Sequence, residues 1–389
     1  MKKSQKILLK ALRAALFGGK ATYPEDTDWD AVVKEAKEQT VLGLIASVIP
    51  AEDEGSDLIM ANYMRILYGQ DELLNMLDEN DIPCVILKGC AAAVYYPKPY
   101  LRAMGDIDFL VPHDKFEDAM KLMEDNGYSL FGGKDENGKL LGTGRHVEYM
   151  KDGIEYELHH HFSSVGYDID DVLEAAICRR EFCELNGYRV PILPEIENGL
   201  VLLGHIRQHI KTNVLGLRQL LDWAVYLNSI KDTDKWQKEF LPAAEKAGLK
   251  QLGAAVTGMC EKRLGLPPSP MPYDSEDVKA GDDILGMILK SGNFGRKSTL
   301  TKNEKGIESA VYNINRLGLF TYCKMVGMNR LKICEKYPFL SHFAWIYGLF
   351  RCIIKGFLAL ISTKNVRKHI AAGLRRFNIL KNVGIRDRK

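Results

Sequence analysis

Residues 82–112 read IPCVILKGCAAAVYYPKPYLRAMGDIDFLVP, and the fold follows from how this stretch divides. Cys84-Val85-Ile86-Leu87 is a short, β-rich apolar run and predicts a buried strand. Lys88-Gly89 turns the chain, and the small, Ala-rich segment from Cys90 to Tyr95 suits a short helix packed close to a sheet. Pro97 and Pro99 end that helix. The chain returns through Arg102 and Gly105 into a second predicted strand, Ile107 to Val111, whose entrance carries Asp106 and Asp108. Residues i and i+2 of a strand point to one face, about 6.6–6.8 Å apart along the chain. Both carboxylates can therefore enter one site and hold hard divalent cations.

An Asp-x-Asp pair alone is weak evidence, because the chain has five, at 26/28, 28/30, 106/108, 168/170 and 232/234. Only the 106/108 pair follows a Gly turn and leads at once into a strand-like apolar run. Two acids at the mouth of a buried strand repel each other and desolvate badly without a counterion. On the plainest reading they are a solvated strand edge with Arg102 as partner.

Strand, Lys-Gly, small helix and Gly-Asp-x-Asp-apolar-apolar-Val together resemble the nucleotidyltransferase core of the DNA polymerase β superfamily. The stretch is most similar to its bacterial branch, the uncharacterised nucleotidyltransferase family. The residues that carry this are Leu87-Lys88-Gly89, Tyr96-Pro97, Arg102 and Gly105-Asp106-Ile107-Asp108-Phe109-Leu110-Val111. The resemblance covers roughly residues 82–230. Two departures stand out: Cys90 replaces the usual Ser after the turn glycine, and sixteen residues separate Gly89 from Asp106. The resemblance implies transfer of a nucleoside monophosphate from an NTP to a hydroxyl acceptor, with Asp106 and Asp108 holding two Mg²⁺ ions, or Mn²⁺ in their place. It also implies nucleotide contacts at Lys88, Gly89, Cys90 and Arg102.

A hairpin is predicted downstream, His146 to Met150 and Ile154 to Phe162 about a Lys151-Asp152-Gly153 turn. Glu155, Glu157, His159 and His161 share one face of its second strand by alternation. The resemblance places its third catalytic and metal-holding acid here, at Glu157, with His159 orienting it. Alternation allows at most His159 and His161, of the three adjacent histidines, to bind one metal ion. Between the Asp pair and the hairpin, Phe116 to Glu124 predicts a helix, and a Gly-rich run from Gly132 to Gly144 predicts a mobile loop.

The flanks read as helical. Residues 1–80 carry three helical patterns, at Ile7 to Phe17, from Trp29, and at Leu58 to Leu77. From Pro194 the pattern is helical again, with His205 and His209 four apart and an Arg218–Asp222 ion pair expected inside LRQLLDWAVYL. The resemblance implies a helical part that closes over the nucleotide, so that His209, Lys211 or Arg218 could touch it. Residues 264–310, rich in Pro, Gly and charge, read as a boundary or exposed loop.

A chain of 389 residues, 46% apolar, can bury sizeable cores. We expect an α+β fold: a nucleotidyltransferase-type mixed sheet with flanking helices and a helical C-terminal part. The divisions are 1–80, helical; 81–193, the core; 194–310, helical; and 311–389, basic and apolar-rich. Eight cysteines without a C-x-x-C pair indicate neither a zinc knuckle nor a disulfide framework and point to a reducing cytoplasm. Leu8-Leu9 is followed by Lys10 and Arg13, with no long apolar stretch of a signal peptide.

Charge is divided unevenly. Residues 311–389 hold 16 Lys or Arg against two acids, a net of +14, so the chain total of +2 leaves −12 for residues 1–310. The acidic larger part disfavours nucleic acid as acceptor and leaves a sugar, a small molecule or a protein hydroxyl. Tyr337 to Phe350 is a charge-free apolar run of 14, too short for the roughly 20 residues a bilayer needs. Beside a basic segment it predicts either a packed helix with a solvated tail or peripheral contact with anionic lipid at the inner membrane face. The alternatives to an enzyme are a non-catalytic nucleotide-binding module and a membrane-surface protein on the same scaffold.

Overall fold

The computed structural model describes residues 1–50, 55–132, 146–162, 169–212, 214–331, 334, 337–363 and 365–385. They form two compact units, Met1–Lys297 and Ser298–Lys389. The first begins with helices α1 (Lys3–Phe17), α2 (Trp29–Glu38), α3 (Leu42–Ile45) and α4 (Ser56–Asp78). Next come β1 (Val85–Leu87), α5 (Gly89–Ala93), β2 (Asp106–Leu110), α6 (Phe116–Asp125), β3 (Ser129–Gly132), β4 (His146–Lys151) and β5 (Ile154–His159). Then follow α7 (Asp170–Ile177), β6 (Glu181–Leu185), β7 (Tyr188–Ile192), α8 (Glu195–Thr212), α9 (Leu217–Ser229), α10 (Thr233–Lys246), α11 (Lys250–Met259) and α12 (Ser275–Ser291).

The sheet is mixed, seven strands in the order β3-β4-β5-β2-β1-β7-β6. β2 runs antiparallel to β1 and parallel to β5, while β1 is parallel to β7. One face is apolar: Ile107 and Phe109 of β2, Tyr156 and Leu158 of β5 and Val147 and Tyr149 of β4 are buried against α4 and α6. Their alternates, Asp106, Asp108, Glu155, Glu157 and His159, fall on the other face, as the period of two requires. The α+β architecture is the expected one. A further hairpin, β6–β7, not among the expected elements, turns through Asn186-Gly187, both at positive φ (51° and 86°), as a two-residue hairpin loop requires.

Residues 264–310 contain the division between the two units, at Lys297–Ser298, as a boundary should, but they are not an exposed loop. Most of them are helix, because Asp274 caps α12 by accepting from the backbone N–H groups of Glu276 and Asp277. Ile284, Leu285, Ile288 and Leu289 then bury one side. Gly281 marks no break in this helix: it is a packing glycine, where a Cβ would run into the carbonyl oxygen of Ala255 on α11. The expected mobile Gly-rich loop lies almost wholly at 133–145, outside the described residues.

The second unit holds α13 (Lys302–Leu317), α14 (Leu319–Met328), α15 (Ala344–Ser362) and α16 (Val366–Asn382). α14 and α15 approach closely at Gly348, where a Cβ would sit 1.8 Å from the carbonyl oxygen of Cys323. α13 and α16 are joined by His369, whose Nδ1 lies 2.8 Å from Glu308 and Nε2 3.2 Å from Glu304. α15 takes in Arg351 and Lys355 and leaves Phe350, Ile353, Ile354, Phe357 and Ile361 exposed. Among the described residues no helix is long and apolar enough to cross a membrane.

Candidate active site

Three features of the backbone bring the acids together. β2 begins at Asp106, one residue earlier than expected, so both aspartates belong to the strand. β2 and β5 are parallel and in register, with Asp106 beside Glu155 and Asp108 beside Glu157. β1 turns into α5 at Lys88, a non-glycine residue with φ 49° and ψ −129°. That conformation costs on the order of 1–3 kcal/mol and marks a position held by its surroundings. Here it carries the Lys88 side chain into the acid cluster.

Ligand oxygens of Asp106, Asp108 and Glu157 all lie within 4.8 Å of one another. Lys88 Nζ is 2.5 Å from Asp108 Oδ1 and 4.0 Å from Glu157 Oε2. His159 Nε2 is 3.0 Å from the same Asp108 oxygen and 3.2 Å from Glu157 Oε2. Its Nδ1 lies 3.3 Å from the His161 carbonyl oxygen, which fixes the proton on Nδ1. With both ring nitrogens facing oxygen acceptors, the imidazolium is the form that satisfies them.

The charges follow from these contacts. Burial alone would lower the Lys88 ammonium, but Asp108, Glu157 and Asp106 outweigh it and hold it above its ordinary value. His159 behaves the same way: burial lowers it, and hydrogen bonds to Asp108 and Glu157 raise it further than that. Burial pushes Glu157 up, yet His159 and Lys88 hold it well below the usual carboxylate range. Glu155, on the same face without such cations, is raised by burial and then by Asp106 and Glu157. His146, register partner of His159 in β4, is lowered by burial and by the His159 charge.

Arg102 sits differently from expectation, while Cys90 offers only its backbone N–H toward the turn. The Cys90 side chain is buried in the core and its thiol is pushed up to about 12 by burial, so it offers no hydroxyl-like contact to phosphate. Arg102 turns from the acid cluster to Asp222 of α9. Its Nε and Nη2 each donate at 2.8 Å to the two carboxylate oxygens, and Tyr96 Oη adds a third bond at 2.8 Å. The expected Arg218–Asp222 pair is thereby replaced, because the bidentate fork of Arg102 fills both oxygens. Arg218 donates to the Ala103 carbonyl oxygen at 2.7 Å, and its buried Nε has no hydrogen-bond partner among the described residues. Burial lowers it, with Asp106 among the charges that oppose this.

His205 and His209 of α8 also lie close enough to sense the site. Their Nε2 atoms contact each other. Burial holds His205 well below its ordinary value and lowers His209 to about 4, with Lys88 and Arg218 adding to both shifts. The i,i+4 spacing announced the pair, but nothing local in the sequence announced its nearness to Lys88.

The profile of the uncharacterised nucleotidyltransferase family matches residues 25–265, taking in the whole sheet and α8 to α11. The chain belongs to that family. It is a nucleotidyltransferase on that membership. No curated protein matches the sequence. Among solved structures, the transferase is similar to the antibiotic-resistance factor ANT(2'')-Ia in solution, at 11% identity, covering 47% of this chain and 93% of that one with TM-score 0.35. A crystal structure of ANT(2'')-Ia with adenylyl-2''-tobramycin gives 12% identity, 47% and 98% coverage and TM-score 0.32. An antigenic nucleotidyltransferase-like protein from Paracoccidioides brasiliensis gives 14% identity, 54% and 94% coverage and TM-score 0.28.

Proposed function

We propose that this transferase moves a nucleoside monophosphate from an NTP to a hydroxyl of a sugar, a small molecule or a protein, with release of pyrophosphate. The observation that carries the proposal is the convergence of Asp106, Asp108 and Glu157 across the in-register parallel pair β2–β5. Three carboxylates are hard oxygen donors, which suits Mg²⁺, an ion that keeps water and phosphate oxygens as its remaining ligands. Mn²⁺ shares that donor preference. Divalent ions held by these acids would neutralise phosphate charge and favour displacement at the α-phosphate.

The chain's own groups have separate tasks. Lys88 brings a buried positive charge to the cluster and pairs a phosphate oxygen, with the backbone N–H groups of Gly89 and Cys90 beside it. Glu157 is held ionised, which suits it to a cation and makes it a weak proton acceptor. His159 orients Glu157 and Asp108. Arg218, with a donor to spare, contacts the triphosphate, while Arg102 braces α9 against the 96–103 segment.

The test is turnover of each NTP against a panel of hydroxyl acceptors with Mg²⁺ and Mn²⁺, together with thermal shifts. NTP plus Mg²⁺ should raise the melting temperature more than either alone, since ligand at a hundred times its Kd contributes about 2.7 kcal/mol. A folded protein that no NTP stabilises would overturn the proposal.

A second reading concerns residues 298–389 alone. The exposed stripe Phe350, Ile353, Ile354, Phe357 and Ile361 recurs at helical spacing on α15, within the part of the chain that carries the +14 charge. An apolar stripe with basic surroundings supports peripheral docking on anionic lipid from the cytoplasmic side.

A further inference from the structure

A second cluster of ligating side chains lies beyond the ends of the two catalytic strands. β5 stops at His159, so His160 and His161 are freed from the alternation that would send them to opposite faces. Their ring centroids are 4.3 Å apart. His113, which follows Pro112 just past β2, lies 4.2 Å from the His161 ring and 5.6 Å from that of His160. One ligand nitrogen from each of the three comes within 4.8 Å of the others. The expectation that His159 and His161 are the only pair able to share an ion is therefore corrected, because the strand ends one residue too soon.

Two carboxylates from α7 stand behind these rings. Glu174 Oε2 is 3.3 Å from His113 Nδ1, and its Oε1 accepts from the His113 backbone N–H at 3.2 Å. Asp170 Oδ2 is 3.5 Å from His161 Nδ1, and its Oδ1 accepts from the Phe162 backbone N–H at 2.7 Å. Each acid thus takes the Nδ1 side of one imidazole and leaves its Nε2 for another partner. This carboxylate–histidine pairing is what fixes the tautomer and orientation of a metal-ligating histidine. His160 is steadied separately, its ring 4.3 Å from Phe116.

Donor chemistry separates the two clusters. Carboxylate oxygens suit Mg²⁺ and Mn²⁺, whereas three imidazoles suit a borderline cation, zinc foremost among those available to proteins. We infer that His113, His160 and His161 form a zinc site, oriented by Glu174 and Asp170, that is distinct from the carboxylate centre. The ion clasps the exits of β2 and β5 to α7. It also steadies the His161 carbonyl, to which His159 Nδ1 is hydrogen-bonded, and so acts on the catalytic acids by position and takes no part in phosphoryl chemistry.

The full-length protein, freed of metal, is titrated with Co²⁺ and then Zn²⁺ while the visible spectrum is followed. One Co²⁺ per chain should give the intense absorption of a four-coordinate site, three imidazoles and one further ligand, and Zn²⁺ should displace it. His113→Gln and His161→Gln should abolish that band. Glu174→Gln, which removes no ligand, should weaken Zn²⁺ binding 10–100-fold. Asp106→Asn and His146→Gln should leave band and affinity unchanged. The inference is overturned if the band survives both histidine substitutions, if it disappears with Asp106→Asn or His146→Gln, or if no four-coordinate band forms. Because Asp106→Asn removes a carboxylate ligand but no imidazole, this result stands or falls separately from that of the transferase assay.

Discussion

Asp108 and Glu157 are register partners across the parallel strands β2 and β5, and Lys88 Nζ reaches both, at 2.5 and 4.0 Å. The pairing makes the two aspartates of the motif unequal. Asp108 is 2% exposed and holds both Lys88 and His159, whereas Asp106, at the strand entrance, makes no ion pair among the described residues.

Asp106→Asn should therefore abolish turnover while leaving the melting temperature level or slightly higher, because it relieves repulsion felt by Glu155. Asp108→Asn should abolish turnover and also destabilise, by roughly 1–3 kcal/mol, since it removes the closest charged partner of a buried ammonium and leaves Lys88 with Glu157 at 4.0 Å. Urea unfolding of the two variants beside the wild type checks this. Equal stability of the two would contradict the ion-pair geometry.

Arg102 and Arg218 make a second contrast. Arg102→Ala breaks a buried bidentate pair and should cost about 3–5 kcal/mol, matched by Asp222→Asn, with nucleotide affinity changed only as far as folding is. Arg218→Gln should weaken NTP binding tenfold or more, about 1.4 kcal/mol, with a smaller effect on unfolding. Calorimetric titration of NTP and denaturant unfolding on both variants separate the roles. The opposite pattern would return Arg102 to the nucleotide.

Much of the site was legible because its signals are local. The apolar run before Lys88, the Gly-Asp-x-Asp entrance and the alternation through Glu157 each sit within a few residues, where the strand period acts directly. What escaped was decided by partners distant in the chain. Arg218 and Asp222 have ideal helical spacing, yet a residue 120 positions away took the carboxylate. Gly281 reads as a breaker until α11 is beside it. The three histidines read as a strand until the strand ends at His159.

The pair His205–His209 should give the protein an acid limit. Both are held neutral by burial, with Lys88 and Arg218 opposing a further charge. The folded values lie below the unfolded value near 6.5, so the unfolded chain binds more protons between them and stability falls as pH drops. The loss should begin near pH 6.5 and continue through the folded value of His209 at about 4. By pH 5 it should reach about 2 kcal/mol for His209. Unfolding free energy measured from pH 8 to 5 should be flatter in His209→Gln than in the wild type. An unchanged slope would mean that the pair is protonated without penalty in the folded state.

The stripe on α15 gives the last prediction. Phe350, Ile354, Phe357 and Ile361 are each more than half exposed, and Arg351 and Lys355 interrupt the same helix. A patch of this kind is costly in water and indicates a binding surface. Full-length protein should sediment with vesicles containing phosphatidylserine at low salt and not with neutral vesicles. Binding should weaken as salt rises, since exposed charges are screened within about 8 Å at physiological ionic strength. Phe350→Glu with Phe357→Glu should remove the binding and leave NTP-induced stabilisation intact, because the acid cluster lies in the other compact unit. Wild-type protein that ignores anionic vesicles at low salt, or vesicle binding that survives the double substitution, would exclude the stripe as a lipid contact. A wild-type dimer that the same double substitution converts to monomer would assign the stripe to a second copy of the chain.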